Sequence, residues 1–467
     1  MADKNKKPND NQDPGEPDNR DGMEKALDFL SDGFNRLTKI KLTPKSVRQN
    51  DFFRAVKNND VAAVLKMLDS GFDPNSYNGS GQTAMHVAVL GNAAGVAQAL
   101  IDRGANLLLG TQDNPEHTPL EDAVNFNKPE MVELLARQGG YVPGAMINGW
   151  SLLHRACEKG KTRIVEALLK AGANCNEMTG NGSTPLLIAV KLGQADVIGA
   201  LLQFQAVVEA MNEHFVKTDE RKRTAFQLAV DRGQMPVIIS MIGKGANVNS
   251  KDATEKTPLL CAIENGNIAL VRLLVENGAD LNKPCATYGT PLVHACVAGT
   301  IDDNVRAEMI DLLIRMGADT EIPSPNGRLP LHLVLTMLSS QEVLAALLRY
   351  PLNKEVFDGF GVTPLIYAAM FPPPDSVHRL LAAGADPNGR SREDASTPLI
   401  HAVKCNNVAG IQVLLQSGAN PKLYDGYGKS ALSYAREKGY SEIIAVLERA
   451  LQESRVNKTS ASPPQKP

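Results

Sequence analysis

Apolar residues along this chain fall into short stripes at helical spacing, each closed by a polar stretch rich in Gly, Asn and Asp. Ile164, Val165, Leu168 and Leu169 make one stripe, and Val271, Leu273 and Leu274 make another. Such spacing predicts helices with one buried face. Gly172, Gly245, Gly278, Gly317, Gly384 and Gly418 follow such stripes, where a residue able to turn left-handed ends a helix. The Asn/Asp-Gly stretches beyond them predict tight turns.

Ahead of each stripe stands a second, shorter apolar segment with a recurring phrase. It reads TAMHVA at Thr83, TPLEDA at Thr118, SLLHRA at Ser151, TPLLIA at Thr184, TAFQLA at Thr224 and TPLLCA at Thr257. It continues as TPLVHA at Thr290, LPLHLV at Leu329, TPLIYA at Thr363, TPLIHA at Thr397 and SALSYA at Ser430, with a degenerate first copy, NDFFRA, at Asn50. Subtracting successive start positions gives 33, 35, 33, 33, 40, 33, 33, 39, 34, 34 and 33. Thr at the opening predicts an N-cap, and Pro after it suits the first helical position, where no amide donor is needed. The small Ala lets that helix approach its neighbour closely. A single unit of this size cannot bury its apolar faces, so stacking is needed to make a core.

A 33-residue period carrying Thr-Pro-Leu-His-x-Ala resembles the ankyrin-repeat family, in roughly twelve copies from about Asn50 to Leu451. The resemblance implies an all-α solenoid of helix-turn-helix units with short β-turn fingers, which binds proteins on its concave face and finger tips. The expected organisation is an N-terminal tail without fixed structure over residues 1–22, a capping helix and linker over 23–49, the solenoid over 50–451, and a second such tail over 452–467. Met23, Leu27, Leu30, Phe34 and Leu37 fall on one helical stripe, which suits a cap over the first copy; a partner-binding or membrane-surface helix is the other reading. Two intervals are long. The excess lies after Ala206 in VVEAMNEHFVKTDERKR and after Gly299 in the GTIDDNVRAE region, and both are expected to be loops, either grown neutrally or placed on the binding face.

Charge and composition narrow the function. Lys and Arg total 49 against 52 Asp and Glu, a net charge of −3, which gives no field to draw in nucleic acid. No apolar run reaches the roughly 20 residues that cross a bilayer. Six cysteines without a regular spacing suit buried thiols in a reducing compartment, so the cytosol is the expected location. No cofactor or metal motif stands out, and an enzyme is not expected. His86, His154 and His332 occupy the fourth position of the phrase, where the family uses the imidazole to bond backbone in the adjoining turn. Cys157, Cys296 and Cys405 read as packed thiols, although His294 and His401 lie close by in sequence.

Candidate contact residues come from register. Counting back from the opening Thr or Ser, Tyr77, Phe357 and Tyr424 lie at −6, Phe360 and Tyr427 at −3, and Trp150 at −1. Met370 and Phe371 end the first helix of the Thr363 copy. The resemblance directs these registers toward partners, or else they pack finger on finger. Lys217, Arg221 and Arg223 add charge in the long finger. The expected function is a monomeric protein-binding scaffold or adaptor. A subsidiary version makes it a secreted bacterial effector in a host cytosol, because such effectors often use these arrays. The alternative is an enzyme or regulatory subunit whose activity lies in a partner chain.

Overall fold

The computed structural model describes residues 44–204, 223–287, 289–337 and 340–459. Within them are 24 α-helices in twelve consecutive pairs. Antiparallel bridges Tyr77–Thr83, Ile147–Trp150, Cys285–Gly289 and Tyr424–Ser430 pinch the turns between pairs into fingers. The chain divides into two compact units, Met1–Thr118 and Pro119–Pro467.

The described part of the first unit holds two pairs, Pro44–Lys57 with Val61–Asp69 and Ala84–Leu90 with Ala94–Asp102. Its core is Phe52, Val56, Val64, Leu68, Met85, Val89, Val96 and Leu100, each contributing roughly 1.5–3 kcal/mol by leaving water. Phe52 also packs on Phe72 at 4.2 Å between ring centres. The first helix begins at Pro44, six residues before the opening expected at Asn50. The stripe from Met23 to Leu37 lies outside the described residues.

The second unit holds ten pairs, from Pro119–Asn125 with Pro129–Leu135 to Ala431–Lys438 with Ser441–Thr459. First helices pack on first helices and second helices on second helices. The opening residue caps as its chemistry demands: Thr184, Thr257, Thr290 and Thr397 each accept the amide hydrogen three residues on, with Pro in the first turn. Thr363 keeps the extended cap backbone without that bond. At the other end of a pair, Gly172 has φ +91° and Gly278 +90°. Their neighbours' amides reach back to close the helix, as Ala173 N does to Leu168 O at 3.0 Å.

Polar side chains tie each copy to the next. Asn249 accepts from Asp280 N (2.9 Å) and donates to Gly278 O (2.9 Å). Asn282 does the same with Asp319 N (2.8 Å) and Gly317 O (3.2 Å). Asn388 repeats it with Asn420 N (2.7 Å) and Gly418 O (3.4 Å). One asparagine at one register thus satisfies backbone groups of its neighbour that would otherwise stay unpaired.

Two expectations need correction. The excess after Gly299 is mainly helix: the second helix of that copy, Asp303–Arg315, has 13 residues where its neighbour Ile268–Glu276 has 9. Asp302 caps it, accepting from Asn304 N at 2.8 Å. Buried Arg306 holds the preceding turn by donating to Ala298 O (2.5 Å) and Ile301 O (3.1 Å). The last helix runs to Thr459, past the boundary expected at Leu451, because no Gly or Pro interrupts QESRVNKT. The Leu329 copy lacks a terminal Gly; there the Tyr350 hydroxyl donates to Asp311 at 2.7 Å, on the second helix of the preceding copy. The insertion after Ala206, including Lys217 and Arg221, lies outside the described residues.

Candidate protein-contact surface

The fingers leading into Thr363 and Ser430 are built alike. Asp358 Oδ1 accepts from Phe360 N (2.9 Å) and Val362 N (3.0 Å), while Oδ2 accepts from the Tyr367 hydroxyl (2.7 Å). Asp425 repeats this with Tyr427 N (3.0 Å), Lys429 N (2.9 Å) and the Tyr434 hydroxyl (2.7 Å). A carboxylate at this register folds its own turn and is braced by an aromatic of the following helix. Burial, then the bond to Asp358, pushes the Tyr367 phenol up, so it stays a donor. The rings of Phe360 and Tyr427 are left pointing out, 54% and 75% exposed, with Arg328 over Phe360 at 5.5 Å. Backbone bonds join these fingers in series: Gly359 N to Gly327 O (3.0 Å), Arg392 N to Gly361 O (2.9 Å) and Gly426 N to Asp394 O (2.7 Å).

The other register-derived residues are placed unequally. Tyr424 is 58% exposed on the same finger as Tyr427. Phe357 is half-buried under Arg392, 4.3 Å away. Met370 is half-buried and Phe371 46% exposed, but they end the seven-residue helix Pro364–Met370. That helix separates them by about 10 Å of rise from the finger before Thr363. Trp150 is half-buried, edge-on to His154 at 6.0 Å. Tyr77, in the first unit, is half-buried and its carbonyl accepts from Gln49. Arg223 is not a free finger charge: it pairs with Asp231 at 2.6 Å, its side chain 16% exposed, because it stands directly before the Thr224 cap.

Register counting of aromatics passed over Val142, Met146 and Met178, which are 46%, 38% and 50% exposed on the fingers before Ser151 and Thr184. Those fingers are joined by Gly180 N to Gly149 O at 3.3 Å. Extending the same count to methionine places Met146 at −5 and Met178 at −6.

The titratable groups are committed to structure. His154 Nδ1 accepts from Ser151 N (3.2 Å), and its Nε2 donates to Glu177 O (3.0 Å). His332 bridges Leu329 N (3.3 Å) and Val362 O (3.1 Å), and His86 bridges Thr83 N (3.3 Å) and His117 O (2.8 Å). A carbonyl only accepts, so the proton sits on Nε2 in all three. Burial lowers the His154 and His332 pKa values, keeping the imidazoles neutral. His294 Nε2 faces Glu264 Oε1 at 3.1 Å. Burial raises Glu264, but hydrogen bonds from His294 and Lys256 outweigh it and bring the carboxyl down to about 2. Burial pushes the Cys296 thiol to about 12 and Cys157 higher still, far from the thiolate that nucleophilic chemistry needs, whereas Cys405, expected to be packed, is exposed at the turn after its helix. Among the described residues no group of three or more His, Cys, Asp or Glu could hold a metal ion, and no helix is long and apolar enough to cross a membrane.

Comparison with known proteins agrees with the repeat pattern. The family model described as "Ankyrin repeats (3 copies)" matches residues 52–146, 140–212, 203–285, 226–322, 292–391 and 365–459. The human transient receptor potential cation channel subfamily A member 1 is 25% identical over 410 residues, which is 84% of this chain and 36% of the channel. The putative ankyrin repeat protein YahD of Escherichia coli (strain K12) is 31% identical over 201 residues, covering 42% of this chain and 96% of YahD. A solved ankyrin repeat domain from Acinetobacter baumannii AYE is 22% identical with a TM-score of 0.38, covering 42% of this chain and 96% of that domain. The chain therefore spans little more than a third of the length of the channel it matches.

Proposed function

Given that this chain belongs to the ankyrin-repeat family, a fold of protein–protein interaction scaffolds, we propose that it is an adaptor whose main contact is made by the fingers before Thr363 and Ser430. The observation that carries this is the exposure of Phe360, Tyr424 and Tyr427 at 54%, 58% and 75% on turns held rigid by Asp358 and Asp425. Exposed aromatic anchors are the usual energetic centres of interfaces, and a turn already held in place loses little freedom when it binds. Its six free cysteines suit a reducing compartment, the cytosol.

The test is truncation. Phe360→Ala and Tyr427→Ala should melt like the parent and bind a partner, first identified by affinity purification with the parent chain, at least tenfold more weakly. A clear drop in melting temperature with affinity unchanged would show these rings to be part of the core.

A further inference from the structure

Between the two fingers that carry those rings lies the finger before Thr397, and it presents charge instead of an aromatic. Arg390 and Arg392 stand two residues apart on it, both exposed. Arg390 Nη1 donates to Tyr424 O at 2.9 Å and to Ala395 O at 3.2 Å, so its guanidinium is clamped across to the next finger. Arg392 lies over the Phe357 ring at 4.3 Å and so is held against the preceding finger. Neither forms an ion pair among the described residues.

Most acids of this region are engaged by partners, although Glu355 and Glu437 stay exposed. Asp394 is taken by Lys404 (2.8 Å), Ser391 (2.5 Å) and Ser396 (2.7 Å). Asp358 and Asp425 fold their own turns, Glu437 meets Lys429 at 2.7 Å, and Glu355 accepts from Asp386 N at 2.9 Å. Glu393 is the exposed carboxylate beside the two arginines. The three fingers thus offer two pre-positioned guanidiniums that form no ion pair among the described residues, flanked by Phe360 on one side and by Tyr424 and Tyr427 on the other.

We propose that this finger binds an acidic peptide segment of the partner protein, with carboxylates on Arg390 and Arg392 and an apolar or aromatic side chain against Phe360 or Tyr427. The proposal rests on the contact surface described above and adds the chemistry of its partner. A guanidinium presents a fork of N–H donors that matches a carboxylate. Holding it on a ring or a carbonyl beforehand removes part of the ordering cost of binding. Fingers about 8–10 Å apart, as packed helices are, span roughly 20 Å over three copies. That corresponds to about six or seven residues of extended chain.

The experiment is selection of the full chain against a displayed library of random 12-residue peptides, followed by titration of the recovered peptides. The expected result is enrichment of peptides with at least two Asp or Glu within about seven residues of an apolar side chain. Their affinity should fall at least tenfold with Arg392→Gln and with Arg390→Gln, and should weaken as salt rises. Arg390→Gln also removes the bond to Tyr424 O, so a charge swap guards against a folding artefact. Arg392→Glu should regain binding to a peptide whose acidic residue is replaced by Lys. Glu393→Gln should strengthen binding of the acidic peptide. Peptides that are neutral or basic, indifferent to both arginines but weakened by Phe360→Ala, would overturn the acidic partner while leaving the contact surface standing. Peptides indifferent to the arginines and the rings alike, or no enrichment at all, would overturn both.

Discussion

Replacing His154 separates two jobs that one imidazole performs. The ring is fully buried. Its Nδ1 takes the amide hydrogen of the Ser151 cap at 3.2 Å, and its Nε2 reaches the finger carbonyl of Glu177 at 3.0 Å. The Thr224 copy shows what glutamine does in this register: Gln227 Oε1 accepts from Thr224 N at 2.9 Å, while its Nε2 is left without a partner. His154→Gln should therefore keep the cap and orphan the Glu177 carbonyl, at a cost of about 1–2 kcal/mol. His154→Leu should orphan the Ser151 amide as well, bringing the cost to about 3–4 kcal/mol. Because each copy in a stack touches only its neighbours, the loss should be local. Denaturant melts should be paired with amide hydrogen exchange, and protection should fall chiefly between Ser151 and Ser183. Acid adds a check of sign. The folded pKa of His154 lies below its unfolded value, so its contribution is present above about pH 6.5 and is lost as pH falls. The leucine variant should lack that acid-sensitive component. Equal costs for the two variants, or protection lost evenly along the chain, would refute the division of labour.

His401 should impose a wider acid sensitivity. Burial first, then Lys404, brings it down to about 4 against the opposing pull of Asp394, so stability present above about pH 6.5 is lost between there and pH 4. The size is on the order of 3 kcal/mol, and His401→Gln should flatten a stability–pH profile over that window; an unchanged profile would refute the assignment. Arg306→Ala strands the carbonyls of Ala298 and Ile301 beneath the lengthened helix and should cost roughly 2–3 kcal/mol. Hydrogen exchange should show the first turn of Asp303–Arg315 opening, and undisturbed protection there would count against the arginine as its anchor.

The repeat was legible because three independent signals coincide at most copies: a capping hydroxyl, a proline or small residue after it, and helical spacing behind it. From Thr83 onward, each expected opening lies immediately before the first helix of a pair. Helix lengths were less legible. IDDNVRAE reads as a polar loop, yet Asp302 caps a helix there and Arg306 buries its charge against carbonyls that only the folded turn brings together. The histidine bridges could be read from position, since the ring sits three residues into the helix whatever the copy. Exposure could not. Phe357 shares its register with outward Tyr424, yet it is partly covered by Arg392, and Trp150 is partly covered by His154; the copy-to-copy pattern specifies neither neighbour. The paired arginines of the middle finger stand outside any aromatic register, so the ring pattern does not point to them.

The asparagine clamps have a genetic corollary. Asn249, Asn282 and Asn388 make the same two bonds from the same position of their copies, and the groups they bond are backbone atoms that any copy supplies. Excising or duplicating a whole period therefore joins like to like, and the new junction finds its bonds ready. Removing one residue fewer misaligns cap, stripe and clamp together. Recombination between copies is thus forgiving in multiples of the period and harsh otherwise, leaving the number of units free to drift while the rules within each unit stay fixed.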